Sequence, residues 1–189
     1  MLQYCVQTLT ERGYVFIGMD HFAKPDDELS IALKEGFLQR NFQGYSTYAD
    51  CDLVAIGVSS IGKIGSTYSQ NERDIDAYYA ALDAGHLPIM RGYQLNQDDI
   101  LRRNIIQDLM CRFSLDYQIS ESVFGIPFSR YFAAELEDMK QLETLGLVRL
   151  KPHSLTVTPK GRFLIRNIAM VFDYHLRQKE TKAKYSQTV

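Results

Sequence analysis

What this 189-residue chain lacks narrows it first. Its three cysteines, Cys5, Cys51 and Cys111, are scattered, with no CxxC or CxxxC pair. Structural zinc sites and iron–sulfur clusters need closely spaced thiolates, so none is expected here, and the thiols read as idle or buried in a reducing compartment. The four histidines (His21, His86, His153 and His175) never fall at the HxxxH or HExxH spacing that sets two metal ligands on one helix face. No apolar run approaches the roughly 20 residues that span a bilayer. Met1-Leu2-Gln3-Tyr4 does not open the basic-then-apolar pattern of a signal peptide. Internal repeats and low-complexity stretches are also missing. A cytoplasmic protein with no membrane partner is the expectation.

Charge of neither sign dominates: 21 Lys and Arg face 23 Asp and Glu, a net −2. That balance argues against a dedicated nucleic-acid binder, but the charge is unevenly placed. Residues 1–95 hold 7 basic and 12 acidic side chains, whereas residues 96–189 hold 14 and 11. Lys151, Lys160, Arg162, Arg166 and Arg177 could present a positive face, attractive to an anion or to DNA. The plainer account of such a run is a solvated helix face.

The pattern along the chain divides it near residue 95. Leu2, Val6 and Leu9 fall at helical spacing up to Gly13. Residues 14–19 form a short apolar run suited to a buried parallel strand. Pro25-Asp26-Asp27-Glu28 predicts a helix start with carboxylates at the positive end of the dipole, running to Gly36. Residues 37–52 read as a polar aromatic loop and 53–58 as a second buried strand. Asn71 is expected to cap a helix ending near Gly85. This strand–helix rhythm is that of βα units, too few to close a barrel.

After Asn96, a cap for a helix to about Phe113, a second helix is expected over 129–145. It sets Phe132, Leu136, Met139 and Leu142 on one stripe, and Gly146 stops it. Short strands over 147–150 and 154–157 turn through Pro152. Thr158-Pro159 then starts a last helix carrying Phe163, Leu164, Ile168, Val171, Phe172 and Leu176 on its buried side. Helix, helix, hairpin and helix suggest a winged-helix-like domain, with a polar, frayed tail from Glu180 to Val189.

Three loops hold residues able to do chemistry. In Arg40-Asn41-Phe42-Gln43-Gly44-Tyr45-Ser46-Thr47, Phe42 could stack on an aromatic ligand, Gln43 could donate and accept, and Gly44 would admit backbone close to a ligand. From composition alone the favoured account is a turn in which Phe42 and Tyr45 plug the core. In Gly57-Val58-Ser59-Ser60-Ile61 the glycine clears room, Ser59 brings a hydroxyl and Ile61 an apolar wall; a small-residue turn explains the same letters. Asp20 beside His21 could serve acid–base work, although structural pairs of this kind are commoner.

Together with Gly18-Met19-Asp20-His21-Phe22-Ala23-Lys24-Pro25 and the stretch from Val157 to Ile168, these motifs resemble the oxygen-independent coproporphyrinogen III oxidases. The resemblance runs from residue 14 to about 178. It implies an α/β fold: the last βα units of an incomplete radical S-adenosylmethionine barrel over 1–95, then a mostly helical winged-helix-like domain over 96–189. It implies oxidative decarboxylation of two porphyrinogen propionates to vinyl groups, with S-adenosylmethionine and a [4Fe-4S] cluster as cofactors. It assigns Phe42, Gln43, Gly44 and Ile61 to the cofactor site and Asp20, His21, Tyr45 and Ser59 to the substrate pocket. No metal ligand is assigned, because the family's CxxxCxxC loop has no counterpart in this chain. The expectation is a C-terminal portion, inactive alone, whose partners are the rest of the barrel and the porphyrinogen. A winged-helix module for nucleic acid or protein, or one half of a split enzyme, stands as the alternative.

Overall fold

The computed structural model describes residues 2–48 and 51–178, so the expected fraying beyond Glu180 lies outside the described residues. The chain packs as two compact units, residues 1–49 with 101–189, and residues 50–100. The expected division at 95 is therefore not a division of packing. Ile17, Ala23, Ala32 and Leu38 are buried in one apolar cluster with Leu101, Ile105, Leu109 and Phe113. Burial of shared apolar surface, rather than sequence order, decides which segments form one body.

In the first unit α1 (Leu2–Glu11) leads into β1 (Val15–Gly18), which turns back into β2 (His21–Ala23). These strands pair antiparallel, Val15 opposite Ala23 and Gly18 opposite His21. The expected buried parallel strand is thus a hairpin arm, because its nearest unsatisfied backbone is the segment that follows it. Helix α2 (Glu28–Glu35) begins at Asp27, whose carboxylate accepts from Leu29 N–H, and ends at Gly36 with φ 82°. Within the expected loop over 37–52 lies a second short hairpin, β3 (Gln39–Arg40) with β4 (Tyr45–Ser46).

The second unit is a three-stranded antiparallel meander, β5 (Ile61–Ile64), β6 (Thr67–Asn71) and β7 (Ile89–Gln94), with α3 (Ile75–Asp83) between its last strands. The expected strand over 53–58 is absent apart from an isolated bridge of Leu53 to Lys63. Val54 and Ile56 are 68% and 84% exposed, and a parallel strand needs neighbours that the described residues do not supply. Among the described residues every strand pairing is antiparallel. Asn71 ends a strand instead of capping α3; that cap is Asp74, which accepts from the N–H groups of Asp76 and Ala77.

Helix α4 (Gln97–Arg112) starts with a reciprocal cap. Asp99 N–H donates to the Asn96 side chain at 2.9 Å, and Asn96 N–H donates to Asp99 Oδ2 at 3.0 Å. Next come β8 (Ser114–Asp116), α5 (Tyr117–Phe124), α6 (Phe128–Tyr131) and α7 (Ala133–Thr144), then β9 (Val148–Lys151) and β10 (Ser154–Val157). β10 lies between β8 and β9, antiparallel to both. The expected helix over 129–145 is broken at Phe132, whose backbone leaves helical geometry where its ring is fully buried against Phe128 and Phe172. The expected last helix is three short ones, α8 (Pro159–Arg162), α9 (Ile165–Met170) and α10 (Tyr174–Gln178). Thr158 caps the first as anticipated, accepting from Gly161 N–H at 3.0 Å. No helix among the described residues is long and apolar enough to cross a membrane.

One ion pair lies inside this apolar body. Arg102 of α4, 9% exposed, donates to Glu135 of α7 at 2.9 Å and to the Phe172 carbonyl at 3.2 Å. Its guanidinium also stacks over the rings of Phe132 and Tyr174, at 5.1 and 5.3 Å. Removing one partner leaves a buried charge uncompensated, a loss of about 3–5 kcal/mol, whereas replacing both with apolar side chains of similar volume is far less costly. Glu135→Ala is therefore expected to lower the urea midpoint steeply, and the double change Arg102→Met with Glu135→Leu to recover most of it. Equal destabilisation by the single and double changes would contradict this account.

Candidate functional site

The Arg40–Ser46 hairpin holds its turn through Asn41. The Asn41 carboxamide oxygen accepts from the N–H groups of Gln43 and Gly44, at 2.8 and 3.2 Å, while Asn41 N–H donates to the Gly44 carbonyl at 2.9 Å. Asparagine closes such turns because its short side chain mimics a backbone acceptor. The turn leaves Phe42 56% exposed, so it does not plug the core. Tyr45, on the next strand, does.

Tyr45 packs where β1 ends. A β-carbon on Gly18 would overlap the Tyr45 hydroxyl and lie 3.3 Å from the Phe113 ring. Gly18 has φ 155°, and the glycine admits the phenol by having no side chain. The Tyr45 hydroxyl donates to the Met110 carbonyl at the end of α4, at 3.2 Å. Burial pushes this phenol up to about 12, against the opposing pull of Arg40. The Cys111 thiol beside it is pushed up to about 12, again mainly by burial, and is no nucleophile at neutral pH.

His21 meets Tyr45 edge-on, ring centroids 5.1 Å apart. Its Nε2 lies 3.1 Å from where a β-carbon on Gly44 would stand, so a second glycine admits close contact. Its Nδ1 lies 2.9 Å from Asp20 Oδ1 but is not aligned for a hydrogen bond. Asp20 is mostly exposed. The pair sits at a turn whose Met19 has φ 55°, a conformation that bulky residues rarely adopt. Asp20, His21, Gly44 and Tyr45 are thus gathered, with Phe42 and Gln43 on the adjoining turn.

Ser59 and Ile61 belong to the other unit. Gly57 N–H donates to the Tyr78 hydroxyl at 3.1 Å, and Ser59 N–H to the Glu72 carbonyl at 2.7 Å. The buried Asn71 amide donates to the Ala55 and Gly57 carbonyls, at 3.3 and 3.0 Å. These bonds hold Ser59 at φ 60° and deliver the chain into β5, where Ile61 pairs with Gln70. Asn71, read from sequence as a helix cap, is the residue that fixes this loop. Its place at the end of β6, where its own N–H donates to the Ser60 carbonyl, aims its amide at the loop.

The basic C-terminal face is partly engaged in the fold. Arg177 pairs with Asp138 at 2.5 Å, Lys160 donates to the Leu145 carbonyl at 3.0 Å, and Arg162 lies over the Phe113 ring at 4.2 Å. Among the described residues no group of three or more His, Cys, Asp or Glu could hold a metal ion. An iron–sulfur cluster does not fit the thiols present, since Cys51 is exposed and Cys111 buried.

Two alkaline effects follow from the buried phenol. A phenol whose value is raised on folding binds its proton more tightly in the folded chain. Its stabilisation is complete below about pH 10 and is lost as the pH climbs toward about 12. Tyr117 and Cys111, also raised to about 12 by burial, act in the same direction. Stability measured by denaturant should fall across pH 10–12, and Tyr45→Phe should flatten that fall. At neutral pH the same change should cost about 1 kcal/mol for the lost hydrogen bond. A pH profile unchanged by Tyr45→Phe would refute the assignment.

Residues 95–164 match the HemN C-terminal domain family. The whole chain is 48% identical to the oxygen-independent coproporphyrinogen III oxidase of Synechocystis sp. and 46% identical to that of Escherichia coli, covering 41% of each. The Thermostichus vulcanus enzyme of the same name is 47% identical over 95% of this chain and 55% of the relative. The chain thus spans less than half the length of the first two relatives. Among solved structures it superposes, with a TM-score of 0.88 and 47% identity, on a protein described as coproporphyrinogen III oxidase (HemN) from Escherichia coli, a radical SAM enzyme. That match covers 92% of this chain and 40% of the other. By sequence and by fold, the chain carries a HemN C-terminal domain and corresponds to the C-terminal portion of the oxygen-independent coproporphyrinogen III oxidase family.

Proposed function

We propose that this chain supplies one wall of the substrate and S-adenosylmethionine pocket of an oxygen-independent coproporphyrinogen III oxidase. The reaction removes carbon dioxide, one hydrogen atom and one electron from each of two propionates, leaving vinyl groups and protoporphyrinogen IX. The observation that carries this reading is the Asn41-closed turn, which fixes Phe42, Gln43 and Gly44 beside the Gly18-seated Tyr45. S-adenosylmethionine and the cluster, held in the parent family by segments upstream of this one, supply the hydrogen-abstracting chemistry. The residues of this chain bind and orient. Phe42 offers an aromatic face, Gln43 a donor and acceptor, and Asp20 with His21 polar contact to substrate.

In this reading residues 1–95 are the last βα units of the barrel and residues 96–189 a winged-helix-like domain. The start of the family match at residue 95 supports that lineage. The order α4, β8, α5, α6–α7, β9 and β10 supports the winged-helix description. The rest of the barrel is the partner.

The test is a chimaera in which this chain replaces the matching segment of the Escherichia coli relative, assayed anaerobically with coproporphyrinogen III. Vinyl product should form, and Phe42→Ala and Gln43→Ala should each lower it by about 100-fold through misplacement of the reacting groups, with cluster absorbance intact. A cluster-loaded chimaera giving no product, or variants as active as the parent, would refute the reading. The chain purified alone should retain no iron after anaerobic reconstitution and washing.

A further inference from the structure

Two arginines in the first unit stand on adjoining aromatic rings without a carboxylate. The Arg40 guanidinium lies 4.9 Å from the centroid of Tyr45, and that of Arg162 lies 4.2 Å from the centroid of Phe113. The two rings converge at Gly18, whose missing β-carbon would lie 3.1 and 3.3 Å from their Cζ atoms. Arg40 comes from a strand beside the turn and Arg162 from the end of α8, 122 positions apart in sequence, and the rings they cover meet at Gly18.

Neither guanidinium is neutralised. Arg40 Nη1 is buried with no hydrogen-bond partner, and neither arginine makes an ion pair among the described residues. Burial lowers the proton affinity of Arg162, with no carboxylate restoring it. Arg112 provides the contrast: it is taken up by Asp108 and by the Gly36 carbonyl. Asp20, the acid whose charge reaches Tyr45, is 80% exposed and lies against His21.

A buried N–H left unmatched costs about 1–3 kcal/mol, and more when charged. The donor fork of a guanidinium is shaped to take a carboxylate through two parallel bonds. We propose that Arg40 and Arg162 form a paired carboxylate-binding subsite, carried on the Tyr45–Phe113 platform, for a ligand bearing at least one carboxylate. On the functional reading above, that carboxylate is a propionate of the porphyrinogen or the aminoacyl carboxylate of S-adenosylmethionine. Arg40 and Arg162 touch the ligand in either case. The subsite itself stands on the two unpaired cations rather than on that reading.

The experiment uses the full chain, with arginine side-chain nitrogens labelled for NMR, and glutarate as the first probe. Glutarate should shift the Arg40 and Arg162 Nε–H signals together, and Arg40→Gln should weaken binding about 10-fold or more. Because one ligand bridges both cations, the double change Arg40→Gln with Arg162→Gln should lose less than the product of the single losses. Arg40→Lys and Arg162→Lys keep charge and stem but lose the fork, and should also weaken binding even if a glutamine variant folds poorly. No shift at either arginine, or shifts from one alone, would overturn the paired subsite. Coproporphyrin III, its tetramethyl ester and S-adenosylmethionine then separate the sources. Arginine-dependent binding of the tetracarboxylate but not the ester assigns a propionate, and arginine-dependent binding of S-adenosylmethionine alone assigns the other. Glutarate binding with neither larger ligand recognised leaves the subsite standing and counts against the functional reading.

Discussion

The seating of Tyr45 against Gly18 is the contact on which the candidate site depends. One ring closes the β1–β2 turn, reaches the Met110 carbonyl at the end of α4, meets His21 in a T-shaped contact and carries Arg40 over its face. The contact requires an absent side chain at Gly18, so no other residue could occupy that position without expelling the phenol. Because the hydroxyl is buried and hydrogen-bonded, Tyr45 acts in the site as a fixed support and not as a proton donor near neutral pH. What the ring holds up is the Asn41 turn on one side and the Asp20–His21 pair on another.

Behind that support lies a closely packed aromatic body. Phe128, Phe132 and Phe172 are fully buried and mutually packed, and Tyr117 stacks on Phe128 with planes 6° apart. The Arg102–Glu135 pair runs through this apolar mass and ties α4 to α7 and to the Phe172 carbonyl. Such a pair gains little over well-packed apolar side chains, but it penalises any packing that separates its members. Helix α4 is thereby fixed at both ends, by its reciprocal cap at Asn96 and by Tyr45 at Met110.

Local chemistry was legible in the sequence wherever a short-range rule decides the outcome. The Asn96 cap, the Thr158-Pro159 start, the strands around Pro152 and the αL stops at Gly36 and Gly146 all follow from neighbours within a few residues. The buried parallel strand expected over 14–19 and the buried strand expected over 53–58 were misjudged, because a short apolar run does not say which strand it will meet, and β1 meets β2. The meander of β5, β6 and β7 went unseen because its residues alternate weakly, half-buried along β5 and β6 and exposed along β7. Helix breaks at Phe132 and after Arg162 come from tertiary burial, which overrides propensity. For the site, the motif letters pointed to Phe42, Gln43, Asp20 and His21, while the support from Gly18, Arg40 and Phe113 is visible only in three dimensions.

The placement of charge follows from the same division. The chain as a whole is slightly acidic, and several of its exposed basic residues, Lys160 and Arg177 among them, are taken by carbonyls and carboxylates of their own fold. A desolvated guanidinium without such a partner is unfavourable in the empty state, and folding would ordinarily select against it. An aromatic face offsets part of that penalty, since the ring quadrupole attracts the cation without neutralising it. Tyr45 and Phe113 therefore hold Arg40 and Arg162 in place while leaving Arg40 Nη1 without a partner. A carboxylate in that position would have quenched both cations and removed any reason for an anion to bind there.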